Sequence, residues 1–293
     1  MPKIDPKEKR LLAIVSIALG LIVAFIGIAS AFLFRLQNLP LEWDQMVVLG
    51  LIVGMFPPAI VEYLDLRWER GIDKNIPRLV REIAEAGKTG LTLMRAIEVS
   101  ADRDYGPLTP ELRQMVIQMS WGSSLEEALR RFGLNARTKL AQRTADLIAE
   151  VARSGGDTKE IMEQLNKHIG ELQSIDRERY AQMRPYSAVV YIAFGVFLFT
   201  DIMLIKSFFA QIVGLQNSIL QTPGGGASIF GGVAGVDINL LEKVFFHAAA
   251  IQAIFGGLIA GKMSEGRLGA GLKHSLILLV IGFLAFFIFV WKT

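Results

Sequence analysis

Gly87-Lys88-Thr89-Gly90 is where this chain comes nearest to phosphate chemistry, because a lysine followed by a hydroxyl residue closes the loop that wraps nucleotide phosphates and magnesium. The spacing excludes that use. The loop's first glycine would fall at Glu82, and the residues before Gly87 follow a helical pattern where a strand is required. A turn between helices is the reading that remains. His168, His247 and His274 are scattered, none with a Glu or a second His at metal-ligand spacing. No cysteine is present, which removes disulfides, thiolate ligands and thiol nucleophiles, and no serine stands in a nucleophile elbow. The expectation is a protein without catalytic residues, metal or cofactor.

Asp201 is the exception. It lies within an apolar run, where an ionised carboxylate costs on the order of 3 kcal/mol unless it pairs or reaches water. Lys206 and His247 are candidate partners. A structural interhelix pair, an ion or proton site, and a contact to a membrane-embedded partner stay open.

The elements that position such residues are long apolar segments. Leu11 to Phe34, Met46 to Leu64, Ser187 to Phe209, Val244 to Ala260 and Ser275 to Val290 each approach the length of a membrane span. About five spans are expected, with a basic N-terminus (Lys3, Lys7, Lys9, Arg10) in the cytoplasm and the C-terminus outside. The loop holding Lys262, Arg267 and Lys273 then falls inside, and the Gly-rich loop 211–242, which lacks Lys and Arg, falls outside. Trp43 and Trp291 land at the outer interface and Trp68 at the inner one. The net charge of +3 follows from this inside bias and does not point to nucleic acid. Ala29-Ser30-Ala31 resembles a cleavage site, but the apolar run before it is too long for a signal core, so an uncleaved anchor in contact with lipid is expected. Gly50 with Gly54, and Gly257 with Gly261, are small-xxx-small pairs that serve close packing of helices, within the chain or between copies.

Three parts result: 1–64 with two spans, 65–185 as a charged helical module, and 186–293 with three spans. Pro57-Pro58 should kink the second span. The module reads as about six helices: Leu66 to Ala86, Leu91 to Ala101, Pro110 to Ser120, Leu125 to Phe132, Arg137 to Arg153, and Thr158 onward. Thr109 before Pro110, Ser124 with Glu127, and Asp157 with Glu160 look like N-terminal caps. Ile161, Leu165, Ile169, Leu172 and Ile175 form one apolar stripe, suited to burial in the module or to a partner groove.

One phrase occurs twice. Gly90-Leu91-Thr92-Leu93-Met94-Arg95-Ala96-Ile97 is echoed by Gly122-Ser123-Ser124-Leu125-Glu126-Glu127-Ala128-Leu129. Each is a glycine turn, a hydroxyl cap and an amphipathic helix start. Arg95, Glu98, Glu126, Glu127, Arg130 and Arg131 cluster just after these turns, and polar, reversible docking is the use such mixed charges suit.

Together with Pro77 to Gly87, Tyr105-Gly106-Pro107-Leu108, Trp121 and Ala152 to Gly156, the paired phrases resemble the type II secretion F domain over roughly Pro77 to Arg184. That family contains the inner-membrane platform proteins of type IV pili, tight-adherence pili, type II secretion systems and the archaeal flagellum. The resemblance implies a platform that is not itself an enzyme and that passes motion from a cytoplasmic hexameric secretion ATPase to pilin-like subunits. It also implies a homodimer or pairing with a related platform subunit. Bacterial pilus platforms carry two such domains and fewer spans; the single domain here points to the archaeal or tight-adherence branch, and a pilus role is preferred. The rival expectation, a small membrane transporter or channel using Asp201, is weakened by an odd span count and the lack of an inverted repeat.

Overall fold

The computed structural model describes residues 6–32, 42–154, 158–209, 211–212, 214 and 237–292. Among them regular structure is helical and strands are absent. The helices are α1 (Pro6–Phe32), α2 (Trp43–Lys88), α3 (Leu93–Ala101), α4 (Thr109–Ser120), α5 (Leu125–Ala136), α6 (Lys139–Ser154), α7 (Thr158–Met203), α8 (Ile238–Glu265) and α9 (Gly271–Phe286). A 3₁₀ turn, Gly106–Leu108, leads into α4, and π-helical turns, Leu204–Phe209 and Phe287–Trp291, prolong α7 and α9. Five of these helices, α1, α2, α7, α8 and α9, are long and apolar enough to cross a membrane. The chain is an all-α, multi-pass membrane protein. The cap expected at Asp157 after Gly155-Gly156, and residues 215–236 of the Gly-rich loop, lie outside the described residues.

The chain divides into two compact units, one from Leu64 to Ala181 and the other formed by Asp5–Tyr63 with Gln182–Thr293. In the first, α2 turns Trp68, Ile72, Ile76, Leu79 and Ile83 to one side at helical spacing, and α3 to α7 close over that stripe. Ile97, Leu112, Leu129, Ile148 and Ile169 supply the facing layer, each at most 2% exposed. The α7 stripe is buried only along its first half. Leu165 and Ile169 are covered, whereas Ile175 is 61% exposed. A cleft of about 400 Å³ lies beside the covered half, with Leu147, Val151, Ile161 and Leu165 against Glu150, Gln164 and His168.

Two boundaries differ from the sequence expectation. Helix α5 runs through Gly133 to Ala136, because Gly133 lets α6 approach: a Cβ there would come within 3.1 Å of the Gln142 Cα and 3.2 Å of the Ala145 Cβ. The turn is instead made at Arg137 with φ 57°, and Thr138 caps α6 by accepting from the Ala141 N–H at 3.1 Å. Thr109 does not cap α4. Leu108 holds that position, and the Thr109 hydroxyl accepts from the Tyr105 N–H at 2.7 Å. Pro57-Pro58 lies inside α2, which continues to Lys88; two missing donors remove two rungs of a 46-residue ladder and do not end it.

In the second unit, α8 and α9 pair as a hairpin, and Phe194, Leu198, Phe246, Leu278 and Phe286 form its core with Val48. Helix α1 turns Leu11, Ile14, Leu21 and Phe25 outward, a face suited to lipid.

Candidate docking face and intramembrane sites

The two copies of the repeated phrase build the same connector. Gly90 (φ 87°) ends α2 and Gly122 (φ 94°) ends α4, in the left-handed region that only glycine enters without strain. Both ends are Schellman motifs. The Gly90 and Leu91 N–H groups donate to Gly87 and Ala86 carbonyls at 3.0 and 3.4 Å, and those of Gly122 and Ser123 to Met119 and Gln118 at 3.0 and 3.1 Å. Thr92 and Ser124 then adopt nearly identical extended dihedrals, and their hydroxyls accept from Arg95 and Glu127 N–H groups at 3.4 and 3.2 Å. Ala96 and Ala128 follow as fully buried contacts. The capping box at Ser124 is half made, because the Glu127 side chain turns away to its arginines.

Those arginines define the charged surface. Glu127 accepts from Arg131 at 2.9 Å and Arg130 at 3.1 Å, and their guanidinium groups hold its carboxyl below the usual carboxylate range. Glu126 pairs with Arg153 of α6 at 3.5 Å. Arg95 and Glu98 pair with each other on α3 at 2.8 Å. Among the described residues no ion pair joins the α3 couple to the α5 cluster. The six candidate docking residues therefore form two separate groups. Trp121, at the end of α4 directly before the second turn, is 84% exposed. Charge patterning alone did not single out this exposed tryptophan; its signal in the sequence was a large aromatic immediately before a turn glycine.

The small-residue pairs are used within the chain. A Cβ on Gly50 would meet the Gly20 carbonyl of α1 at 2.6 Å, and one on Gly54 would meet the Gly20 Cα at 3.4 Å. Gly257 faces the Ser275 backbone of α9, and Gly261 faces Gly271. Ser275 Oγ donates to the Ile254 carbonyl at 2.7 Å, so the hydroxyl is satisfied inside the same contact.

Asp201 is 2% exposed, on the same side of α7 as Phe194 and Leu198. Its Oδ2 has no hydrogen-bond partner among the described residues. His247, one of the expected partners, turns Nδ1 to the Lys243 carbonyl at 2.6 Å. His274, unassigned by the sequence, meets the Tyr191 hydroxyl at 2.7 Å.

Residues 79–205 match the family described as type II secretion system (T2SS), protein F. The chain carries a type II secretion F domain. It is 26% identical over 255 residues to an uncharacterized protein of Methanocaldococcus jannaschii, covering 87% of this chain and 40% of that one. It is 21% identical over 247 residues to the Flagella accessory protein J of the same organism, covering 82% of this chain and 43% of that one. The chain thus spans about two fifths of the length of the curated relatives it matches. No solved structure matches.

Within the secretion F domain, a polar knot ties α2 to the connector before α4. Tyr105 is fully buried and its hydroxyl donates to Glu82 Oε2, which also takes Arg103 at 3.2 Å, while Arg78 binds Glu82 Oε1 at 3.2 Å and lies 5.3 Å over the Tyr105 ring. Burial and the adjoining carboxylate push the phenol above its ordinary range, so it stays a donor. Tyr105→Phe leaves this carboxylate short of a donor and should destabilise the domain by about 2 kcal/mol, read as a lower denaturant midpoint. Asp104 accepts from the Gly106 N–H at 2.8 Å and the Thr109 hydroxyl at 3.2 Å, which hold its carboxyl below the usual carboxylate range. Its contribution is complete above the unfolded value and is lost as pH falls through the lowered folded one. Asp104→Asn should flatten the acid side of a stability–pH profile.

Proposed function

We propose that the chain is the membrane platform of a type IV filament or type II secretion-like machine. In this reading residues 65–185 form a cytoplasmic domain that receives motion from a hexameric secretion ATPase, and the membrane helices work on pilin-like subunits. The family match supports an assembly platform, and the name of the flagellar relative favours the archaeal filament branch. The observation that carries the docking step is the second connector, where exposed Trp121 precedes a turn followed by the Glu127–Arg130–Arg131 cluster. A large aromatic beside mixed charge is the composition of an interface hot spot with a polar rim.

The test is binding of the full chain, in lipid nanodiscs, to a hexameric secretion ATPase of the same organism. Trp121→Ala should weaken binding roughly thirty-fold, the equivalent of about 2 kcal/mol. Reversing Glu127, Arg130 and Arg131 together keeps opposite charges facing each other within α5, so the fold is retained, and Glu126 is left in place because it pairs with Arg153 of α6. Binding should nevertheless fall, and by less at high salt. Unchanged affinity in both variants would remove the second connector from the interface.

The proposed orientation has the N-terminus in the cytoplasm and the C-terminus outside. A cysteine-free chain permits single-cysteine labelling with an impermeant reagent. Ser228→Cys should label in intact cells and Ser120→Cys, on the exposed surface of α4, should not. Ser100 is a poor reporter because it is buried and bonded to the Ala96 carbonyl at 2.8 Å. The opposite pattern would invert the topology.

A further inference from the structure

We propose that Glu62 and Tyr63 are the positioning residues through which α2 moves α1 and the α8–α9 hairpin. This joint presupposes the platform reading, because it is the route by which a displacement of the secretion F domain enters the membrane helices. Glu62 and Tyr63 are the last residues of α2 within the membrane unit, and at Leu64 the same helix passes into the first unit.

Helix α2 is held differently on the two sides of Pro57-Pro58. Before the prolines it is clamped to α1 by backbone: a Cβ on Gly50 would lie 2.6 Å from the Gly20 carbonyl oxygen, and one on Gly54 3.4 Å from the Gly20 Cα. The two prolines then withdraw the N–H groups that would have bonded the Val53 and Gly54 carbonyls. Bending of a long helix concentrates at such missing rungs. Glu62 lies about one turn beyond them, on the side continuous with the F domain, so it follows that domain when α2 flexes.

The side chains at this point reach three other elements. Glu62 Oε2 takes Lys9 of α1 at 2.6 Å, and the carboxylate packs against the 266–270 turn, where a Cβ on Gly269 would fall 2.5 Å from Oε1 and 2.8 Å from Cδ. Tyr63, about 100° further round the helix, lies beneath Lys273 of α9. The Lys273 Nζ is 5.4 Å from the Tyr63 ring centroid and also binds Glu265 at the end of α8. Two consecutive residues of α2 thus engage α1, the α8–α9 turn and α9. The Lys9–Glu62 pair is partly open to solvent, with side chains 34% and 19% exposed, and such pairs add little to folding stability. They can slide and re-form where the glycine crossing cannot, which is what a moving joint requires.

Gly269→Ala isolates the joint, because it keeps every charge and takes only the place of the Glu62 carboxylate, the far end of a flexible side chain that can swing aside. Ile60→Cys and Leu268→Cys, at exposed positions of this cysteine-free chain, carry spin labels that report the distance between α2 and the turn in the full chain in nanodiscs. The distance distribution should broaden in Gly269→Ala and in Glu62→Ala, with the unfolding midpoint close to that of the parent. ATPase binding should be unchanged, and filament number in cells should fall roughly two- to thirty-fold at equal protein level. A distribution that stays narrow in both variants overturns the joint. So do full filament numbers despite broadening, which would make the contact an anchor only, and an equal loss of ATPase binding, which would place the defect in docking. Filaments that persist when the chain itself is deleted count against the platform reading instead, and the distance distributions then decide the joint alone.

Discussion

Gly261→Ala should cost the membrane unit about 3 kcal/mol, although alanine is the better helix former, whereas Gly195→Ala, also in an apolar helix, should cost nothing. A Cβ at Gly261 would land on the backbone N and Cα of Gly271, and one at Gly257 on those of Ser275. Backbone atoms at a helix crossing cannot rotate away as a side chain does, so α8 and α9 would have to separate along their contact. Around Gly195 nothing lies within 4 Å of the added carbon. The comparison is read as folded fraction on titration with a denaturing detergent. Equal behaviour of the two variants would mean that the α8–α9 approach is looser than described. Gly50→Ala should resemble Gly261→Ala, because its Cβ would meet the Gly20 carbonyl of α1 at 2.6 Å.

These glycines also show what a single sequence can disclose. The spacing of Gly257 and Gly261 announces a close crossing but not its partner; Gly271 and Ser275 are chosen by a turn that returns α9 along α8. Gly133 misled for the same reason. Locally it reads as a helix stop, and only the approach of α6 keeps it inside α5. The duplicated phrase was legible because everything it encodes is local: a left-handed glycine, a hydroxyl cap and a buried alanine within one short segment. The Tyr105–Glu82 bond spans 23 residues and joins two elements whose meeting no periodicity specifies. The candidate docking charges were legible as types; their division into an α3 couple and an α5 cluster follows from packing.

Asp201 should prove a burden to the isolated chain and a requirement for the machine. Its Oδ2 is buried without a partner among the described residues, on the side of α7 that Phe194 and Leu198 turn into the core. A carboxyl in such a place contributes nothing to folding that an apolar side chain would not contribute better. Asp201→Leu should therefore raise the stability of the purified chain by about 1–3 kcal/mol, and Asp201→Asn, which keeps the shape and one orphaned oxygen, should change it little. Filament assembly in cells should fall in both variants with protein levels maintained, because the carboxyl group is what the two share in losing. Lower stability in Asp201→Leu would make the residue a structural contact. Full assembly in both would leave it without a part in the platform.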